Sequence, residues 1–116
     1  MKELLLSFKG LADPVRIRIL QVLSHGEQCV CNLVEIFQLP QSTISRQLSV
    51  LKNANLINIR KEGLWHYYSL NKRPPMNESL YNFMSEQWSH DPVFASDNER
   101  IVQGLKCASP SPAKTD

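Results

Sequence analysis

The sequence predicts a mainly α-helical domain carrying one β-hairpin, arranged as a winged helix-turn-helix, and three observations predict it. Two helical patterns are separated by the short turn at Leu39-Pro40. The second of them, from Gln41 to about Asn53, has an apolar stripe of Ile44, Leu48 and Leu51 on an otherwise polar surface. Directly after it come two strand-like runs, residues 56–60 and 65–70, the second rich in aromatics. Lys61-Glu62-Gly63 between them supplies the turn.

The remaining elements follow in order. Leu4, Leu5, Phe8 and Leu11 have helical spacing. Asp13-Pro14 is a helix start, because Asp caps free amides and Pro is favoured at the first helical position. The helix it opens places Val15, Ile19, Val22 and Leu23 on one side and ends near His25-Gly26. Residues 29–37 form a short helix with Leu33, Ile36 and Phe37 as its buried set. Pro74-Pro75 interrupts the chain, and Leu80, Phe83, Met84 and Trp88 then form a final apolar helical stripe. The expected order is helix, helix, short helix, polar-faced helix, hairpin, helix.

Composition bounds the function. At 116 residues, 42% hydrophobic and 21% charged, the chain fits one ordinary globular domain. No apolar run approaches the ~20 residues of a membrane helix, and the N-terminus lacks the pattern of a signal peptide. The expected location is the cytoplasm, with no membrane partner. Three cysteines, an odd number, argue against a disulfide framework. Charge is unevenly placed: residues 41–70 carry a balance of +3 and residues 76–116 one of −3. A basic middle beside an acidic end suggests a localised surface that faces phosphates.

The helix from Gln41 carries the sharpest chemical signal. Its outer face is Gln41, Ser42, Thr43, Ser45, Arg46, Gln47 and Ser49, and Glu35 is the only acidic residue between Cys29 and Lys61. Solvated helix faces normally carry Glu and Lys. Gln and Arg make bidentate contacts to base edges, while Ser and Thr hydroxyls reach bases or phosphates. This is the composition of a helix that reads double-stranded DNA in the major groove. Arg60 and Lys61 near the hairpin tip add cations for phosphates or the minor groove. The DNA-binding set is therefore Gln41, Ser42, Thr43, Ser45, Arg46, Gln47, Arg60 and Lys61.

Four stretches of the chain resemble the ArsR/SmtB family of metal-sensing repressors. They are LADPVRIRIL from Leu11, EQCVCNL from Glu27, QSTISRQL from Gln41 and RKEGLWHYY from Arg60. The resemblance runs through residues 4–90 and comes nearest to arsenite-responsive repressors of resistance operons. It implies a homodimer whose first and last helices form the interface, an imperfect-palindrome operator, and release of DNA when metal binds. No catalytic residue and no cofactor for DNA binding are implied. Residues 1–106 would form the DNA-binding and dimerisation domain, and residues 107–116 a flexible tail. Cys29 and Cys31 match the family's thiolate pair. Val34 stands where some arsenite sensors carry a third cysteine, Asn32 replaces the usual Asp, and Gln47 the usual His.

Thiolates select soft ions, and trivalent arsenic or antimony favours a trigonal pyramid of sulfur ligands. The expected inducer is thus As(III) or Sb(III), with Cys107, the remaining cysteine, as candidate third ligand. Side chains two apart on a regular helix point about 200° from one another. Both sulfurs can grip one ion only if the helix start unwinds or Cys29 precedes it. Unwinding would bend the helix ahead of the recognition element and so act as a switch. Alternatives are a cadmium, lead or zinc sensor, whose ions usually want four ligands, and a thiol-redox sensor. Glu86 and His90 lie at helical spacing, yet one histidine makes no tetrahedral site. A thiol oxidoreductase would need Cys-x-x-Cys near a βαβ pattern, which the sequence lacks; no enzyme is expected.

Overall fold

The computed structural model describes residues 1–102. The elements are α1 (Lys2–Leu11), α2 (Pro14–Leu23), β1 (Gln28–Cys29), α3 (Val30–Phe37), α4 (Gln41–Asn53), β2 (Ile57–Glu62), β3 (Trp65–Leu70), α5 (Met76–Trp88) and α6 (Pro92–Val102).

Helix α2 starts as its sequence dictates. Asp13 Oδ2 accepts from the amides of Val15 and Arg16 at 2.9 and 3.1 Å, and Pro14 occupies the first turn. Helix α3 ends at Gln38, whose left-handed backbone (φ 56°) closes the last turn on the Val34 carbonyl. The Pro40 carbonyl then accepts from Thr43 and Ile44, opening α4. Ile44, Leu48 and Leu51 of α4 are at most 1% exposed and meet Ile19, Leu20, Leu33 and Ile36 in one core. Each such side chain stabilises the fold by about 1.5–3 kcal/mol relative to exposure. Gly10 lets α1 approach this core, since a Cβ there would lie 3.0 Å from Leu56 Cδ1.

The hairpin differs from expectation in register. Lys61 and Glu62 belong to β2, paired with His66 and Trp65, so the turn is Gly63-Leu64. Gly63 has φ 61°, which suits glycine at the first central position of a two-residue turn. The sheet also has a third strand, absent from the sequence reading: β1 pairs antiparallel with β3, placing Gln28 opposite Tyr68 and Cys29 opposite Tyr67.

A sixth helix also stands where the sequence reading placed none. In α6, Phe94 and Asp97 are buried against the rest of the domain. Asp97, 1% exposed, takes a two-pronged bond from Arg18 (2.9 and 2.8 Å), whose guanidinium lies 5.1 Å over the Phe37 ring. Arg100 donates to the Ile36 carbonyl near the end of α3. Thus α6 is fixed to α2 and α3. Across the described residues, no helix is long and apolar enough to cross a membrane.

Candidate nucleic-acid interface and thiol site

Because Ile44, Leu48 and Leu51 turn one side of α4 into the core, the other side is forced outward. Gln41, Ser42, Ser45, Ser49 and Arg46 are exposed, and Thr43 is half-buried. This side carries no acidic group. Gln47 is different: it flanks the buried stripe, half-covered, and its Oε1 accepts from Arg16 Nη1 at 2.6 Å. The structure therefore brings five of the six predicted α4 residues into one outward group and engages the sixth internally.

The two predicted wing cations have separate surroundings. Lys61 is exposed beside the turn. Arg60 instead lies 4.5 Å over its cross-strand partner Tyr67. Its Nε and Nη2 donate to Glu27 at 3.0 and 2.8 Å, and Nη1 donates to Glu62. Those bonds, led by Glu27, raise the guanidinium pKa further above its usual range. Arg60 thus ties the wing to the segment entering β1. Sequence reading had no means of finding Glu27, which lies 33 residues away. At the tip, Leu64 is 99% exposed.

The two sulfurs are placed by the junction of β1 and α3; Cys29 is a free thiol, whereas Cys31 is held in a disulfide. Cys29 has extended backbone (φ −86°, ψ 167°) and is the N-cap residue of α3, while Cys31 sits in the first turn. Of the two alternatives posed by the sequence, Cys29 preceding the helix is the one realised. The sulfurs stand 3.6 Å apart with α3 intact, so no unwinding is needed to bring them together. An ion about 2.3 Å from each, the length of a zinc–thiolate bond, would see them about 100° apart. That angle suits a pyramidal or a tetrahedral shell, so the pair fits a soft ion once Cys31 is reduced. Cys29 is buried. Both cysteines line a cleft shared with Gln41 at the start of α4 and with Leu64, Trp65 and His66 of the wing. Among the described residues, no set of three or more His, Cys, Asp or Glu could surround a metal. Cys107 lies outside those residues. Glu86 and His90 are both exposed on and just after α5.

The outward α4 face supports a first expected result. Arg46→Ala is expected to weaken binding to operator duplex at least tenfold at fixed salt, with an unchanged thermal midpoint. Anisotropy titration beside calorimetry checks it, and undiminished binding would remove Arg46 from the interface.

The family model "Bacterial regulatory protein, arsR family" matches residues 13–58, the span from the α2 cap into β2. An arsenical resistance operon repressor of Bacillus subtilis is 41% identical over 81 residues, covering 69% of this chain and 72% of that protein. An arsenic resistance transcriptional regulator of Pseudomonas putida is 40% identical over 118 residues, covering 93% and 92%. Among solved structures, HlyU from Vibrio cholerae superimposes with a TM-score of 0.68 at 25% identity, over 77% of this chain and 95% of that one. The Bacillus and Pseudomonas relatives are regulators, and the family model spans the helix-turn-helix and the thiol segment. The chain belongs to the ArsR family of winged-helix transcriptional repressors.

Proposed function

We propose that the chain is a homodimeric repressor that binds an imperfect-palindromic operator and releases it when As(III) or Sb(III) bridges Cys29 and Cys31. The observation that carries this reading is the 3.6 Å sulfur pair in a cleft shared with the start of α4 and the wing. Relatives named as arsenical resistance repressors favour a trivalent metalloid as inducer. Gln41, Ser42, Thr43, Ser45 and Arg46 supply the DNA-reading face, with Lys61 against phosphate; Gln47 joins them from its bond to Arg16. Arg60 acts through the wing it holds, and reaches phosphate only by leaving Glu27 or Glu62. The third ligand is Cys107 or an exogenous thiol or hydroxide.

The thiols grip both DNA-contacting elements. Cys29 belongs to a strand paired with β3 of the wing, and Glu27 just before it holds Arg60. Cys31 belongs to α3, which leads through Gln38 and Pro40 into α4. Because the sulfurs already stand at bridging distance, the strain that separates the wing from the α3–α4 unit comes from drawing the third ligand to the ion rather than from closing the pair. Bending of α3, the route the sequence suggested, is not required. A 100-fold loss of operator affinity needs about 2.7 kcal/mol of coupling, within the usual range for linked sites.

A second copy is the proposed occupant of the apolar groove between α1 and α5. Leu4, Phe8, Met76 and Phe83 line it, and Phe8 and Phe83 are 57% and 63% exposed. Large aromatic side chains left that open mark an interface. The helix read from sequence as the last is α5, and α6 beyond it packs within the subunit. Phe83→Glu is expected to shift the protein from dimer to monomer at micromolar concentration and to weaken operator binding. Sedimentation equilibrium checks this; an unchanged dimer would place the interface elsewhere.

The test of the whole reading is anisotropy of reduced protein on duplex from its own promoter, titrated with arsenite, cadmium and zinc in parallel. Release by arsenite alone supports the proposal. Release by cadmium or zinc, or by none of the three, would replace the inducer while keeping the DNA contact.

A further inference from the structure

The tip of the wing carries a side chain that the fold does not use. Glu62 pairs with Trp65 across the hairpin, so Gly63 and Leu64 are the two central residues of its turn. Such positions normally hold Gly, Asn or Asp. Leu64 is instead the most exposed large hydrophobic side chain among the described residues, at 99%. Leu4, Leu5, Phe8 and Phe83, also strongly exposed, lie on α1 and α5. Leu64 shares a cleft with Gln41, the first residue of α4, so the tip stands beside the start of the outward α4 face. Its mount is stiff: β3 pairs with β2 on one side and β1 on the other, and Arg60 ties β2 to Glu27. Lys61 is exposed next to the turn, and Glu62 is held by Arg60.

An apolar side chain on a rigid mount, next to a cation, has the form of a minor-groove wedge. Leu, Ile, Met and Phe inserted between base pairs part the stack and kink the duplex by about 20° or more. A minor groove about 6 Å wide admits the tip of a two-residue turn. We propose that Leu64 is such a wedge: with α4 in the major groove, the wing tip enters the adjacent minor groove and Leu64 opens one base step per half-site. Lys61 beside it meets phosphate. The opened step covers the apolar surface that the free protein leaves in water. What Leu64 selects is deformability rather than a base edge, because pyrimidine–purine steps such as TA and CA open readily while A-tract steps resist. Leu64 is thus a specificity-determining residue outside the α4 contact. The inference rests on reading α4 and the wing as the DNA-contacting elements.

The test is competition anisotropy on an operator recovered by selection from random duplexes, with each flanking base step replaced in turn by TA, CA or AA. Wild type, Leu64→Ser, Leu64→Met and Lys61→Ala are compared, and end-to-end energy transfer across the labelled duplex reads the bend. In the wild type, a stiff step in place of a flexible one at one position per half-site is expected to cost about tenfold. Leu64→Ser should reduce that penalty below about threefold and straighten the duplex, while the ranking of base pairs under α4 stays as it was. Leu64→Met, still an apolar wedge, should keep both the penalty and the bend. Salt separates the two neighbours: Lys61→Ala should lower the salt slope by about one unit per subunit, whereas Leu64→Ser should weaken binding with the slope unchanged. Because Leu64 packs on nothing, its variants should melt with the wild type. Wild-type step preference and bend in Leu64→Ser would overturn the proposal. So would an altered arsenite dose response at unchanged operator affinity, which would assign Leu64 to the thiol cleft instead. Failure of the wild type to bind any duplex would remove the DNA reading itself, a result distinct from binding in which Leu64 has no part.

Discussion

Cys29→Ser and Cys31→Ser are each expected to bind operator within about threefold of wild type and to lose all release by arsenite. Serine preserves side-chain size and leaves the pairing of Cys29 with Tyr67 and the first turn of α3 in place. What it removes is the soft donor: a hydroxyl neither ionises near neutral pH nor competes with thiolate for a trivalent arsenical. The buried position of Cys29 makes its serine variant less stable by about 1 kcal/mol, because a hydroxyl takes the place of a thiol there. Cys31 is half-buried, so under reducing conditions, with its disulfide open, Cys31→Ser should cost less. Anisotropy gives operator affinity and inducer response in one titration, and calorimetry separates lost sensing from lost fold. Wild-type release in both single variants would move the sensor away from this pair. Loss in one alone would show that the ion is held by that thiol and by donors not yet assigned.

Those two sulfurs also show what the sequence could and could not reveal. The Asp13-Pro14 start of α2, the Ile44, Leu48, Leu51 stripe of α4 and the polar face opposite it are local patterns, and they stand in the structure as read except for Gln47, which is half-covered and bonded to Arg16. Whether Cys29 lies on the helix or ahead of it is not local. It is decided by two residues, Gln28 and Cys29, finding a partner in β3 nearly forty residues on. So short a strand has no periodicity to detect. The same nonlocality hid Arg60, which in sequence is a cation near a turn and in the fold is held by Glu27 and stacked on Tyr67. The turn itself slid forward because the cross-strand pairs Lys61–His66 and Glu62–Trp65 extend the ladder to Gly63. Helix α6 did leave a signal. Asp91-Pro92 repeats the form of Asp13-Pro14, and Asp91 Oδ1 accepts from the amide of Val93. It was concealed by a sparse apolar stripe in which one of the most deeply buried positions is an acid, Asp97.

That acid carries the other large expected effect: Asp97→Ala should destabilise the domain by about 2–4 kcal/mol, while Asp97→Asn should cost roughly half as much. The Asp97 side chain is 2% exposed, against 28% for Arg18. Removing the carboxylate leaves a guanidinium part-buried over Phe37 with neither of its two charge-assisted bonds. Breaking a fully buried pair from one side costs about 3–5 kcal/mol; the residual water contact of Arg18 lowers that. For a domain near 100 residues each kcal/mol shifts the thermal midpoint by about 4–8 °C, so a fall on the order of 10–20 °C is expected. The second variant identifies the cause. Each single variant strands one charge of the pair, whereas adding Arg18→Met to Asp97→Ala removes the guanidinium left behind, so the double variant should be less destabilised than the sum of the singles. Additive effects would mean that Asp97 acts through packing alone, and a midpoint unchanged in Asp97→Ala would show that α6 contributes little to the fold. Operator affinity measured well below the midpoint should stay within a few-fold of wild type, because α4 and the wing are built on Ile44, Leu48, Leu51 and the β2–β3 ladder rather than on α6. A large loss of affinity in the cold, folded variant would instead mean that α6, through Arg100 on the Ile36 carbonyl, sets the α3–α4 turn that aims the recognition helix.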